Sequence, residues 1–220
     1  MVDRPRLWTR AGGVGGVLFF VSLLVLIALM PLSHSIPEPA FDAPSSAFLA
    51  YAKSEADLPS ALALVGILGL FGFALFAAVL TARFRVAENQ SDVAPTLVLM
   101  AAVIFIVLWL AELGIGFAHT FRRADLDAAS ASVLSGLSNG IFVVSWSAIA
   151  AFLAASGFAV LRTRTLPTWL GWSALVIGFG MFLAGAAPLT AIWFLPYFLF
   201  FVWVLATSVV LLRERAENVS

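Results

Sequence analysis

Long apolar runs alternate with short polar segments along the whole chain. Six of these runs approach the roughly 20 residues that a helix needs to cross the hydrocarbon core of a bilayer. They lack the strict alternation of apolar and polar positions that is typical of strands in a membrane barrel. Because hydrocarbon offers backbone groups no hydrogen-bond partners, each run is predicted to be a helix. The predicted spans are residues 14–30, 61–82, 96–119, 132–161, 169–187 and 190–212.

The composition agrees with this pattern. Of the 220 residues, 62% are hydrophobic and 11% are charged, and the mean hydropathy is +1.06. A water-soluble domain of this size cannot bury so much apolar surface. We therefore expect a single all-α transmembrane domain over residues 1–220, built as a six-helix bundle in the lipid bilayer.

The basic residues predict which way the chain crosses the membrane. If both termini are cytoplasmic, only Lys53, Arg122 and Arg123 lie on the outer side, so nine of the 12 basic residues lie inside. Cytoplasmic segments of membrane proteins carry such an excess of arginine and lysine. An even number of spans also requires both termini to lie on one side. The sequence therefore predicts cytoplasmic termini.

The outer segment of residues 31–60 is the longest connection between spans. Four prolines in its first half exclude a continuous helix there. Ser45 and Ser46 then resemble an N-cap for a short helix over residues 45–55. One apolar face of this helix is formed by Phe48, Leu49, Tyr51 and Ala52. That face fits two structures equally: an interfacial helix over the outer mouth of the bundle, or a simple packed loop.

Short connections and small residues predict how the helices pack. The turn after the fourth span and the turn near Pro188 are short, so spans four, five and six are expected to be antiparallel neighbours in sequence order. Pro196 is expected to kink the sixth span. Glycines in spans two and five mark faces where another helix packs closely. These glycines are Gly66, Gly69, Gly72, Gly178, Gly180 and Gly185.

Ionisable residues inside spans are costly and therefore indicate candidate sites. Glu112 is the clear example, about 12 Å below the outer end of the third span at 1.5 Å per residue. Asn139 of the fourth span and Tyr197 of the sixth lie at about the same depth. His119 follows Glu112 by seven residues and shares its helix face. Trp109 and Trp193 are candidates for aromatic walls beside these polar groups. The candidate ligand-binding residues are therefore Glu112, Asn139, His119, Tyr197, Trp109 and Trp193.

These residues allow two interpretations. In the first, they line an outward-facing polar pocket, with His34 near its mouth and Phe142 in its walls. Such a pocket suits a small amphipathic ligand, a lipid headgroup or a proton. In the second, Glu112 and Asn139 only hydrogen-bond neighbouring helices, an interaction of about 0.6 kcal/mol on average. In both cases the carboxyl group is expected to face protein or a wet cavity rather than lipid.

Several softer motifs carry a resemblance to a known group of proteins. They are the segment at 51–59 before the second span, the Leu-Thr-Ala-Arg-Phe-Arg run at 80–85, the Leu-Pro-Thr-Trp-Leu-Gly-Trp run at 166–172 and the Leu-Leu-Arg-Glu-Arg run at 211–215. Together they resemble a group of uncharacterised integral membrane proteins of high-GC Gram-positive bacteria. The resemblance implies a six-helix, multi-pass protein of the bacterial cytoplasmic membrane. It implies no reaction, ligand or catalytic residue.

The cysteine and histidine content of the chain excludes several classes of function. It has no cysteine, which excludes disulfides and thiolate ligands, and its two histidines lack the spacing of zinc or haem ligands. We expect no metal, no cofactor and no nucleic-acid partner. We expect a non-enzymatic ligand- or lipid-binding or accessory component, whose protein partner is a larger membrane complex or a second copy of the chain. The alternative is a small transporter or intramembrane enzyme acting on a lipid-like or small amphipathic substrate.

Overall fold

The computed structural model describes residues 4–33, 35–40, 43–54, 59–88, 93–186 and 193–213. Within these residues the regular structure is entirely helical. Six of the helices are long and apolar enough to cross a membrane, so the chain is compatible with a multi-pass integral membrane protein and the predicted fold class is confirmed. The helices are α1 (Arg4–Ser33), α2 (Ser45–Lys53), α3 (Pro59–Ala87), α4 (Val93–Arg122), α5 (Ala128–Thr163), α6 (Thr168–Ala186) and α7 (Phe194–Arg213).

The helices extend beyond most of the predicted spans. Helix α1 begins at Arg4 rather than near residue 14, and α5 is 36 residues long. An apolar run marks only the part of a helix that lies in hydrocarbon, whereas the backbone hydrogen bonds continue into the polar flanks. The predicted ends at residues 187 and 190 lie outside the described residues.

The six long helices form a closed ring. They contact one another in the order α1, α3, α4, α5, α6 and α7, and α7 packs back against α1. The predicted order of neighbours among the last three spans is therefore confirmed. Helix α5 also contacts α3 and α7 across the interior of the ring.

The two ends of the bundle differ in charge. Because successive long helices run in opposite directions, the start of α1 and the end of α7 lie together. We call this the basic end, and it carries Arg10, Arg83, Arg85, Arg162, Arg164 and Arg213. The opposite end carries α2 and the α4–α5 connection, and we call it the α2 end.

A cluster of phenylalanine rings fills the middle of the ring. Phe73 lies at the centre, with its ring centroid 5.1 Å from that of Phe105 and 5.3 Å from that of Phe152. Helices α1 and α7 add rings that contact the same group. The phenylalanine cluster thus joins five helices through Phe19, Phe73, Phe105, Phe152 and Phe200. It divides the interior into a half at the basic end and a half at the α2 end.

Glycines bring α1 and α3 close together, as the sequence predicts. A Cβ atom added at Gly72 would lie 2.5 Å from the backbone oxygen of Gly15, so only glycine allows this approach. Gly66 has only ordinary contact, with Leu113 at 3.6 Å. At Gly185 no other described atom lies within 4 Å of an added Cβ atom, so the described residues show no close packing there.

The connection between α1 and α3 differs from the prediction at its cap. Pro44 is the extended residue before α2, and no side chain caps the helix, so the predicted serine N-cap is wrong. Pro44 takes the N-cap position, with φ −63° and ψ 148°, and Ser45 is the first helical residue. On the predicted apolar face, Phe48 and Ala52 are buried, and α2 packs against α5. The end of the predicted helix at residue 55 and His34 lie outside the described residues.

The predicted kink at Pro196 is also wrong. Pro196 is the third residue of α7, which begins at Phe194. The N–H groups of a first turn have no intrahelical partner, so proline removes no hydrogen bond there. Its ring packs near Gly180 of α6, 3.2 Å from the position of an added Cβ atom.

Candidate functional site

The Glu112 carboxyl group faces the interior of the bundle. The residue is half-buried on α4, and its Oε2 atom is buried with no hydrogen-bond partner among the described residues. The carboxyl lies within electrostatic range of the Tyr197 hydroxyl on α7 and of the Glu38 carboxyl before α2. The acid and the tyrosine that depth predicts at one level therefore lie within electrostatic range of each other.

Helix α4 presents further polar atoms at this end. Trp109 precedes Glu112 by three residues and His119 follows it by seven, spacings that lie on one helix face. In the part of the chain that the structure describes, Trp109 Nε1 and His119 Nε2 are also buried without a hydrogen-bond partner. One face of α4 thus offers an acceptor and two ring nitrogens whose hydrogen-bonding capacity is unused.

An aromatic cluster of α5 and α7 continues the site from Tyr197. The Tyr197 ring centroid lies 5.4 Å from that of Phe142 and 6.0 Å from that of Trp193. Trp193 stacks on Trp146 at 5.3 Å. Phe142 and Trp193 are half-buried, so they form the rim of this cluster. Trp193 and Phe142, two aromatic residues that the sequence predicts for the pocket walls, therefore lie together, and both contact Tyr197, which lies within electrostatic range of Glu112.

Glu38 is a residue of this site that the sequence interpretation missed. Partial burial raises the pKa of its carboxyl, although the side chain keeps substantial exposure. A second carboxyl near Glu112 favours the binding of a proton or a cation at this end. The path of a loop does not follow from hydrophobic periodicity, and the only signal in the sequence is an acid between Pro37 and Pro39.

Asn139 and Trp109 lie at the margins of this arrangement. Asn139 is half-buried on α5, one turn before Phe142 and between the exposed glycines Gly136 and Gly140. Trp109 lines a separate cavity of about 20 Å³ between α1, α3, α4 and α7, large enough for about one water molecule. Apart from Ser22 and Trp109 this cavity is apolar, and Glu112 does not line it.

The described residues contain no group of three or more His, Asp or Glu side chains that could hold a metal ion. Comparison with known protein families, with characterised proteins and with solved structures finds no match. The interpretation of the site therefore depends on its own geometry.

Proposed function

We propose that this protein is a membrane-embedded binding component that holds a small amphipathic ligand at its α2 end. The observation that carries the proposal is the buried, unpartnered Oε2 atom of Glu112. A buried carboxylate oxygen without a hydrogen bond is costly, and native structures rarely keep one. A ligand that donates a hydrogen bond or carries a positive charge would supply the missing partner.

The surrounding residues favour one class of ligand. Glu38 adds a second negative group, and the half-buried rings of Trp193 and Phe142 leave aromatic surface next to Tyr197, which lies within electrostatic range of Glu112. Aromatic faces attract cations and also bind apolar groups. The combination suits an amphipathic molecule with a cationic or hydrogen-bond-donating head and an apolar body, such as a lipid with an amine headgroup.

The alternative role of Glu112 is only to hold neighbouring helices together, and it too needs a hydrogen-bond partner for the carboxyl group. That role requires a hydrogen bond from the carboxyl group to a neighbouring helix. Among the described residues, the buried oxygen of Glu112 has no such bond.

We further propose that the basic end lies in the cytoplasm of a bacterial cell and that the candidate site opens outward. The distribution of nine of the 12 basic residues supports this orientation. The motifs at 80–85 and 166–172 support membership of the group of membrane proteins found in high-GC Gram-positive bacteria.

Bound lipid in the purified protein tests the binding proposal. The full chain is purified in a mild detergent, and its lipids are extracted and quantified against protein by mass spectrometry. We expect one lipid species to be enriched in the native chain and in Asp125→Asn, a control acid with 74% side-chain exposure. Glu112→Leu removes the polar contact and is expected to lose this species. Equal lipid content in all three proteins would contradict the proposal.

The variant Glu112→Gln separates a charged ligand head from a neutral one. Glutamine keeps one acceptor oxygen but loses the negative charge. We expect Glu112→Gln to fold, and to lose a cationic lipid to the same extent as Glu112→Leu. Retention of the lipid by Glu112→Gln would indicate a neutral, hydrogen-bonding head instead.

Transport is the second candidate function, and one observation supports it. Buried hydroxyl groups of Thr81, Ser156 and Thr207 lie in the half of the bundle at the basic end. A substrate or proton that crosses the bundle needs polar groups in both halves of the interior. The test is proton flux into liposomes that contain the protein, driven by a potassium diffusion potential. A transporter predicts flux that Glu112→Leu abolishes, whereas a pure binding component predicts none.

A further inference from the structure

Four buried side chains at the basic end have oxygen atoms without a hydrogen bond. Within the described residues these atoms are Thr81 Oγ1, Ser156 Oγ, Thr207 Oγ1 and both carboxylate oxygens of Glu88. Arg162 is an ionic neighbour of Glu88, with its Nε atom 3.9 Å from Glu88 Oε1. That distance is too long for a hydrogen bond. None of these groups belongs to the candidate site at the α2 end.

The positions along the helices bring these groups into one region. Glu88 follows Thr81 by seven residues and lies one residue past the end of α3, where its N–H still donates to the Phe84 backbone oxygen at 2.9 Å. Thr81 and Glu88 therefore lie on one face of this helical path. That face is turned towards α5, because Glu88 approaches Arg162 at the end of α5. Ser156 lies six residues before Arg162. The hydroxyls of Thr81 and Ser156 are therefore both about 10 Å deeper than the ion pair, at 1.5 Å per residue.

Thr207 lies in the same region on the third helix. The rings of Phe152 on α5 and Trp203 on α7 are in contact, with centroids 6.1 Å apart. Ser156 and Thr207 each follow one of these rings by four residues, one turn nearer to the basic end. Three hydroxyls on three helices thus lie between the aromatic core and the basic end, and the buried Glu88 carboxylate lies nearer to that end, beside Arg162 of α5.

We propose that water occupies this region and forms an internal hydration site. A hydroxyl or carboxylate that loses its water without gaining another partner destabilises the fold, so several such groups in one place indicate bound solvent. A buried water molecule makes about three hydrogen bonds to polar groups of this kind. Water would bridge Thr81, Ser156 and Thr207 and connect them with Glu88. The site is a polar inlet that reaches from the basic end to the phenylalanine cluster.

Cysteine accessibility tests this inlet, because the native chain has no cysteine. Ser156→Cys is compared with Ala159→Cys, since Ser156 and Ala159 are both 0% exposed on α5. Ala159 is nearer to the basic end but apolar. The probe is methanethiosulfonate ethylammonium, applied to the full chain in liposomes. We expect the thiol at position 156 to react about tenfold faster or more, since reaction requires a solvated thiolate.

Two results would overturn the proposal. One is equal, slow reaction at positions 156 and 159 while both thiols react fully in denaturing detergent. The other concerns stability and needs no cysteine. If the region is dry, Thr207→Val removes an unpaired hydroxyl and raises the thermal unfolding midpoint. If it is hydrated, as we propose, Thr207→Val removes a water contact and lowers the midpoint.

Discussion

Trp203 joins the last two helices through one buried hydrogen bond. Its indole Nε1 donates to the backbone oxygen of Leu170 at 2.9 Å, and the residue is only 2% exposed. The ring also contacts Phe76 and Phe152 in the core. This hydrogen bond, together with the packing of Pro196 near Gly180, holds α7 against α6.

Replacing Trp203 by phenylalanine tests this contact. The variant keeps an aromatic ring but removes the donor, so the free energy of unfolding is expected to fall by about 1 kcal/mol. Unfolding in mixed micelles with increasing sodium dodecyl sulfate provides the measurement. Trp172→Phe on α6 is the control, because Trp172 is 63% exposed and should change little. Equal stability of the two variants would mean that the hydrogen bond contributes nothing.

Asp127 caps α5 and makes its first turn sensitive to pH. Its side chain accepts a hydrogen bond from the backbone N–H of Ser130 at 2.7 Å, and this bond lowers the pKa of the carboxyl. A lowered pKa in the folded state means that the cap stabilises above the unfolded pKa, about 3.9, and is lost as the pH falls through the folded value.

Hydrogen exchange at Ser130 measures the cap. After correction for intrinsic rates, protection of this amide is expected to be the same at pH 7 and pH 5 and to decrease below about pH 4. Asp127→Asn keeps an acceptor that does not titrate in this range, so its protection should not depend on pH. The assignment of the cap is incorrect if the native chain and Asp127→Asn respond to acid in the same way.

Residue depth predicts part of the site, and no more. Counting residues from the outer ends of the spans brings Glu112 and Tyr197 to one level, and the structure brings them into electrostatic range. Glu38 could not be found in this way, since it lies in a loop whose path is set by tertiary contacts. Thr81 and Ser156 also lie at equal depth, but hydroxyls are common in spans, and only their burial without hydrogen bonds distinguishes them.

Among the described glycines, the closest approach of one helix backbone to another is between α1 and α3. Added Cβ atoms at Gly15 and at Gly72 would each lie 2.5 Å from the backbone oxygen of the other glycine. Both neighbours are backbone atoms, which no side-chain rotation can move. The two helices can approach this closely only while both positions lack a side chain.

Gly72→Ala is expected to separate the helices and to lower the free energy of unfolding by about 1–3 kcal/mol, the usual cost of overpacking. The same micelle titration measures it. Gly66→Ala on the same helix is the matched control, because the nearest atom there is at an ordinary 3.6 Å. Two variants of equal stability would show that the α1–α3 approach is looser than described.

Short connections predict which helices are neighbours in sequence, but not how the ring closes. The antiparallel order of α5, α6 and α7 follows from the lengths of the loops. The contact of α7 with α1 depends on Gly13 and Gly16 meeting Leu212 and Ser208. The sequence of α1 does not show that its glycines pack against α7, and the sequence of α7 does not show that it packs against α1. The contact can be recognised only in the three-dimensional structure.

At the scale of the whole molecule, the asymmetry of charge predicts the orientation in the membrane. Ala124→Cys lies in the α4–α5 connection and Thr168→Cys at the start of α6, and both positions are exposed at opposite ends. In intact bacterial cells, a membrane-impermeant maleimide is expected to label position 124 only. Permeabilised cells should show labelling at both. Labelling of position 168 in intact cells would reverse the orientation.

The interior is divided in a way that suits binding from one side. The phenylalanine cluster separates the site at Glu112 from the hydroxyls at Thr81, Ser156 and Thr207. A binding component needs only the half at the α2 end. A transporter would need the rings of Phe73 and Phe105 to move apart, because their contact closes the path between the two halves.

Hydrocarbon is expected to surround the bundle, while Glu112 is expected to face an interior that charged solutes reach from the α2 end. Glu112→Cys and Leu110→Cys test this expectation directly, since Leu110 is 46% exposed on the same helix and is expected to face lipid. A charged, membrane-impermeant thiosulfonate is added to intact cells. We expect reaction at position 112 and none at position 110. Reaction at position 110, or no reaction at position 112, would contradict the account.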